Sequence, residues 1–308
     1  MAIGMLALLC SAALSACGGE GTEEYAFFSG GESGVYYPTA QVIAELANKA
    51  DDGFAVTVRT SGGSAENARA LRDASADFAL IQSDIAAYAR EGSLEFEEPI
   101  PEILGLAALY PEHVQIVALA NSGVEALGDL EGKAVAVGAQ GSGTEENARQ
   151  ILDAAGLSTD DLGRVEHLSA EDAVGALAAQ EVDAAFFTFG LGTPAIEELA
   201  GGHAITFVPV EGEVRQRLLA EYDFYREGTV PASSYAGVER AVPTVTVTAS
   251  LVAREDVPDE VVEALLVSMF GNLDAFEGGR LTGLTAESGR DGLSLPLHPG
   301  AVAFYESR

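Results

Sequence analysis

Two α/β lobes facing each other across a cleft, joined by a hinge, form the architecture this sequence predicts. Three observations carry that expectation. Short β-rich runs alternate with stretches whose apolar residues recur at helical spacing, the pattern of an α/β fold with largely parallel sheets. The same strand–turn–helix order occurs twice, with strand starts near 25, 54 and 78 and again near 133, 165 and 184. Long apolar strands at 113–121 and 243–254 can carry the chain from one unit to the other and back, which makes a hinge.

In the first unit, residues 25–29 read as a strand and Gly30-Gly31-Glu32-Ser33-Gly34 as the turn after it. A helix follows over 35–50, with Val42, Ile43, Leu46 and Ala47 on one face. Residues 54–60 alternate as a strand, Ser61-Gly62-Gly63-Ser64 turns, and 65–74 is helical. Asp77 leads into the strand 78–82, and Ser83 and Asp84 are placed to cap the next helix. The second unit repeats the order. A strand at 133–137 leads through a turn at 138–143 to a helix over 144–155, closed by Gly156. After a strand at 165–168, Ser169 caps a helix over 170–180, and Asp183 leads into a strand at 184–188. The stretches 76–82 and 182–188 correspond to each other, each with an aspartate before its strand. An amphipathic helix over 259–276 packs most simply back on the first lobe. The expected division is therefore 25–115 for lobe I, 116–245 for lobe II and 246–308 for the return to lobe I. A chain of 308 residues can bury such cores without covalent staples.

Charge excludes whole classes of partner. Asp and Glu number 48 against 16 Lys and Arg, a formal charge of −32, and Lys49 and Lys133 are the two lysines. That field repels phosphate backbones and anionic headgroups, so no nucleic-acid binding is expected. It reads as a solvated acidic surface, whose self-repulsion salt would screen.

The first residues read differently from the rest. About fifteen apolar residues at 2–16 are too few for a membrane span, which needs about 20, but suit the core of an export signal. Leu14-Ser15-Ala16-Cys17-Gly18-Gly19 resembles a lipobox, although no Lys or Arg precedes the apolar run. The resemblance implies a signal peptide at 1–16, lipidation of Cys17, and a polar leash over 17–24. Cys10 would leave with the signal, so no disulfide is expected.

Glycine-rich turns that follow strands and open helices present backbone N–H groups and positive helix ends, a ready site for a carboxylate or phosphate. Nucleotide motifs fail on spacing. Thr144-Glu145 stands after Gly143 where a phosphate loop has Lys-Ser/Thr, and the same run does not complete G-x-G-x-x-G. Gly62-Gly63-Ser64 continues as Ala65-Glu66, so there is no nucleophile elbow. His113, His167, His203 and His298 are scattered singly and show no ligand spacing. No catalytic group, cofactor or metal is expected. The polar residues at strand ends are Ser61, Ser64, Asn67, Gln82, Ser83, Ser142, Thr144 and Thr188, together with Tyr36 and Tyr37. Each alone reads as a turn or cap residue; together they line the same cleft from two lobes.

The order of these motifs resembles the TAXI family, the extracytoplasmic solute-binding proteins of TRAP transporters. Gly30-Gly31-x-x-Gly34-x-Tyr36-Tyr37-Pro38 is followed by Thr60-Ser61-Gly62-Gly63-Ser64-x-x-Asn67, Gln82-Ser83-Asp84 and Leu109-Tyr110-Pro111-Glu112. Then come Leu127-x-Asp129-Leu130-x-Gly132-Lys133, Gly141-Ser142-Gly143-Thr144-x-x-Asn147-Ala148 and Pro296-Leu297-His298-Pro299-Gly300-Ala301. The likeness spans about residues 25–305. It implies a type II periplasmic-binding-protein fold whose lobes close on one solute, a small carboxylate such as glutamate, glutamine or 2-oxoglutarate. It implies delivery of that solute to TRAP permease subunits driven by an ion gradient, by a monomer held at the membrane through its lipid. Ligand contacts carry over to Gly34, Tyr36, Ser61, Ser64, Asn67, Gln82 and Ser83 in lobe I. Those of lobe II fall on Gly141, Ser142, Gly143, Thr144, Phe187 and Thr188, while Tyr36 or Tyr37 covers the solute. Two departures stand out. Ala40 replaces a glycine common in the family, and Glu32 brings a carboxylate into the first turn, where an inward side chain would favour an amino group on the ligand. Arg59 either pairs a ligand carboxylate or faces solvent. A sensory receptor on the same fold is the alternative; an enzyme would need a catalytic group the sequence lacks.

Overall fold

The structure is a computed structural model that describes residues 22–32, 34–50, 52–276, 281 and 283–308. The expected signal 1–16, the lipidation site Cys17 and the first part of the leash lie outside the described residues.

Strands β1 (Glu23–Phe28), β2 (Phe54–Arg59) and β3 (Phe78–Gln82) pair in parallel in the order β2-β1-β3. Helix α1 (Tyr36–Ala50) connects the first two and α2 (Ser64–Arg72) the next; α3 (Ser83–Glu91) follows β3 directly. On α1 the buried Tyr36, Ala40, Ile43, Ala44 and Ala47 recur every three or four residues, one face turned to the sheet. The second unit holds β5 (Ala134–Ala136), β6 (Arg164–Glu166) and β7 (Ala184–Phe189), again parallel, with β5 central. Its helices are α4 (Gly143–Ala154) and α5 (Ala170–Ala178).

The internal repeat extends to single side chains. Asp77 accepts the Ala26 N–H at 2.8 Å, and its counterpart Asp183 accepts the Ala134 N–H at 2.9 Å. Each aspartate thereby ties the entry of one parallel strand to the neighbour it is about to join.

Both units grow from one pair of long antiparallel strands, β4 (Ile103–Leu119) and β10 (Val242–Arg254). The 17 residues of β4 span about 55 Å at the usual rise of a strand, enough to run through both units. β3 flanks β10 on one side, and β7 pairs with β4 from His113 to Ala118 on the other. The hydrogen-bonded path is therefore continuous, β2-β1-β3-β10-β4-β7-β5-β6. This differs from the sequence reading of two separate sheets. The strand that includes 113–119 begins ten residues earlier than its apolar run indicated, and it is this earlier stretch, 103–113, that pairs with 246–254, while 113–119 pairs with β7 and β8.

The remaining elements are α6 (Pro194–Gly202), β8 (Ile205–Val208), α7 (Gly212–Glu221) and β9 (Arg226–Val230); β8 pairs with β4 and β9 with β10. Helix α8 (Asp259–Phe270) packs on α1, as the return to the first unit requires, and α9 (Pro299–Glu306) packs on α8. α8 is shorter than the 259–276 expected, because Gly271-Asn272 turns the chain into a separate tight turn at 273–275. In the Pro-Leu-His-Pro-Gly-Ala motif, a Cβ on Gly300 would overlap the Asp259 carbonyl, so only glycine lets α9 approach α8 this closely.

Candidate functional site

Between the two units lies a cavity of about 210 Å³. From the first unit it is lined by Gly30, Gly31 and residues 34–36, by the turn at 61–64, by Gln82 at the end of β3 and by Glu112 in β4. The second unit contributes the turn at 138–144, residues 168–170 and the end of β7. The N-termini of α1, α2, α4 and α5 all open onto this space. First-turn N–H groups have no partner within their own helix, so four such ends offer donors and partial positive charge to an anion. No basic side chain is among the described residues that line it.

Of the residues expected at the site, Gly34, Tyr36, Ser61, Ser64, Gln82, Ser142, Gly143, Thr144, Phe187 and Thr188 line the cavity. Ser64 opens α2 and its Oγ accepts the Gln82 N–H at 3.1 Å, which joins two of the turns. Ser142 caps α4 by accepting the Glu145 N–H at 3.2 Å. Gly143 lies against the opposite unit, where a Cβ would overlap the Gln82 amide. Thr144 Oγ1 accepts the Thr188 N–H at 3.2 Å, while the buried Thr188 Oγ1 has no hydrogen-bond partner of its own. An unpaired buried hydroxyl at a cavity wall is a group a ligand can satisfy.

Tyr37, Asn67, Ser83 and Gly141 do not line it. Tyr37 lies about 100° further round α1 than Tyr36, and its hydroxyl accepts from Gln41 at 2.7 Å on the outer face. Asn67 is fully buried; its Nδ2 donates to the Ser29 and Leu80 carbonyls at 2.6 and 2.8 Å. Ser83 does not cap α3, whose N-cap is Gln82. Its Oγ instead accepts the Thr248 N–H at 3.1 Å, pinning α3 to β10. Gly141, at φ +72°, shapes the turn, and its N–H donates to Glu145 at 2.6 Å. Glu32 and Arg59 are exposed and outside the cavity lining.

The sequence reading missed Glu112, Ser169 and Phe189 as lining residues. Glu112 is 2% exposed in β4, where a long apolar run ends, and Tyr36 donates its hydroxyl to Glu112 Oε2 at 2.7 Å. Burial raises the Glu112 carboxyl well above the usual range and outweighs the hydrogen bond from Tyr36, which lowers it. An acid directly after the apolar run 103–111 was the available signal. Phe189 packs on Phe187 with ring centroids 5.5 Å apart and forms an apolar wall.

Behind the cavity the units meet through a buried polar network. Asn147 of α4 donates to Asp84 at 2.7 Å and to the Tyr225 hydroxyl at 2.8 Å, and it accepts from Gln82 at 3.1 Å. Tyr225 donates to Gln150 at 2.6 Å, and Gln150 donates to the Tyr88 hydroxyl at 2.8 Å. Asp84 is held at about 6 by burial, opposed by hydrogen bonds from Asn147, the Ile85 backbone and Gln82.

Among the described residues no helix is long and apolar enough to cross a membrane, and no group of three or more His, Cys, Asp or Glu could hold a metal. The model of a family described as the NMT1-like family matches residues 27–307. Similar solved structures include the alkanesulfonate-binding protein SsuA from Xanthomonas axonopodis pv. citri bound to MOPS. It is 17% identical, with 92% of this chain and 84% of that one covered at a TM-score of 0.53. PhnD1 from Prochlorococcus marinus in complex with methylphosphonate is 10% identical, with 85% and 88% covered at 0.53. A putative L-cystine ABC transporter from Listeria monocytogenes is 12% identical, with 82% and 93% covered at 0.53. At these identities the likeness establishes the periplasmic-binding-protein fold.

Proposed function

The chain belongs to the NMT1-like family, and from that premise we propose that it is an extracytoplasmic solute-binding receptor that captures a small carboxylate by hinge closure. One observation carries this reading: four helix N-termini from two units converge on one small cavity that has no basic side chain among the described residues of its lining. Helix ends hold the carboxylate, the unpaired Thr188 hydroxyl and the Gln82 amide orient it, and Phe187 with Phe189 excludes water. Gly143 and Gln82 form the seam along which the lobes close. Lobe I comprises 25–115 and 246–308, lobe II 116–245, and the two swing about β4 and β10. Closure is driven by the solute's preference for the closed form and stays reversible, so a membrane partner can extract the cargo.

The similar structures are named for sulfonate, phosphonate and cystine systems, and a shared fold leaves the membrane partner open. The order of motifs, from Gly30-Gly31 through Gly141-Ser142-Gly143-Thr144 to Pro296–Ala301, favours a TAXI-type receptor serving an ion-gradient-driven TRAP permease. Glutamate, glutamine or a 2-oxoglutarate-like acid is the cargo on this reading. A lipid on Cys17 would hold the protein at the membrane; Cys17→Ala would then leave an unlipidated chain, and unchanged membrane retention would refute the anchor.

The test is thermal unfolding of the purified protein against amino acids, dicarboxylates and 2-oxoacids. A cargo at 100 times its Kd adds about 2.7 kcal/mol, a shift of several degrees. If no small carboxylate shifts the transition, and native mass spectrometry finds no retained ligand, the receptor reading is wrong.

A further inference from the structure

We propose that Glu112 is the residue that selects the cargo, and that it does so by receiving a positively charged ammonium group, so that the ligand is an amino acid rather than a simple dicarboxylate or 2-oxoacid. The inference rests on the receptor reading above and deepens it.

Glu112 is the one acidic side chain among the described residues that line the cavity, and it is 98% buried there, at 2% exposure. It sits in β4 opposite Val247 of β10, on the two strands that run through both lobes, so it belongs to the floor of the cleft rather than to either rim. Tyr36, at the N-terminus of α1, holds one carboxyl oxygen at 2.7 Å. A carboxyl group offers about four acceptor positions, and Tyr36 uses one of them.

The rest of the lining has the opposite polarity. Helix N-termini, backbone N–H groups and hydroxyls approach from α1, α2, α4 and α5, and all of these suit a carboxylate. A solute carrying only negative groups would leave this acid protonated and without a cationic partner, and would use only the donor half of the site. A zwitterion meets both halves of the site: its carboxylate lies on the helix ends and its ammonium on Glu112. Binding then gives the buried carboxyl a charged partner, so that it ionises. Without such a solute, Tyr36 and protonation keep it satisfied. A purely structural Glu112–Tyr36 pair would explain the hydrogen bond. It would not explain why the only acid in the lining stands at the floor of an otherwise donor-rich cavity.

Titration calorimetry on the wild-type protein and on Glu112→Gln, with L-glutamate, L-glutamine and 2-oxoglutarate as probes, separates these readings. Gln keeps an oxygen for the Tyr36 hydroxyl and nearly the same shape, and thermal unfolding of the variant checks that it folds. The wild type is expected to bind at least one of the two amino acids ten-fold or more tighter than 2-oxoglutarate. Glu112→Gln is expected to weaken that amino acid 30-fold or more, the loss usual for breaking a buried charge pair, and to leave 2-oxoglutarate unchanged or improved. The inference is overturned if the wild type prefers 2-oxoglutarate, or if the variant weakens all three probes equally; the receptor reading survives either result. Binding of none of the probes by the wild type removes the glutamate-like cargo, and the inference falls with it.

Discussion

A residue named in a binding motif can serve the fold instead of the ligand, and Asn67 is the clearest case here. Its side chain is fully buried and its amide bridges the Ser29 carbonyl after β1 to the Leu80 carbonyl in β3. Asn67→Ala would leave both carbonyls without this donor, a cost of about 2–4 kcal/mol at one to two for each. The urea midpoint should fall accordingly while solute affinity stays within two-fold; an unchanged midpoint with lost affinity would return Asn67 to the ligand. Its neighbour Ser64 does the reverse, lining the cavity while bonding Gln82. Both residues stand in one run, Ser64-x-x-Asn67, and the spacing alone cannot say which points at the cleft and which at the sheet. That depends on where β3 lies beneath α2, a fact the local sequence does not contain.

At the scale of elements, α3 and α4 are joined by side-chain hydrogen bonds behind the cavity, and their contact contains a buried acid. Asp84 accepts from Asn147 and from Gln82, yet burial still raises its carboxyl from 3.8 to about 6. The folded protein therefore holds this proton more tightly than the unfolded chain. Its contribution to stability is fully present below pH 4, is lost as pH rises through 6, and levels off above; the change is about 3 kcal/mol. Burial shifts Glu112 in the same direction, so only a comparison isolates Asp84. Denaturant midpoints of the wild type and Asp84→Asn between pH 4 and 8 should diverge through that window. Parallel profiles would mean that Asp84 is not the titrating group. The sequence reading had Ser83 and Asp84 as helix caps. Instead Ser83 bonds β10 and Asp84 bonds the other lobe, because long-range partners compete successfully for side chains that could have capped α3.

For the molecule as a whole, the net charge of −32 is the dominant long-range fact. The ion pairs that oppose it are mostly exposed, such as Lys49–Glu45 at 3.7 Å and Arg217–Glu213 at 3.9 Å, and contribute little. Arg254–Asp77 at 3.0 Å is better enclosed and ties β10 to the entry of β3. Raising NaCl from 0.01 to 1 M shortens the screening length from about 30 to about 3 Å, which weakens repulsion among many acids and costs few attractive pairs. The melting temperature should rise with salt; a flat or falling trend would show that the acids are already locally compensated. That charge, the doubled strand–turn–helix order, the glycine turns and the paired aspartates Asp77 and Asp183 were determined by the sequence itself, because composition alone sets the first and local spacing sets each of the others. The tertiary structure alone decided that β4 and β10 pair into a continuous sheet, that Tyr36 and not Tyr37 faces the cleft, and that a lone acid, Glu112, lies at its floor. Those outcomes are set by register and crossing between segments distant in the chain, which a local pattern does not fix.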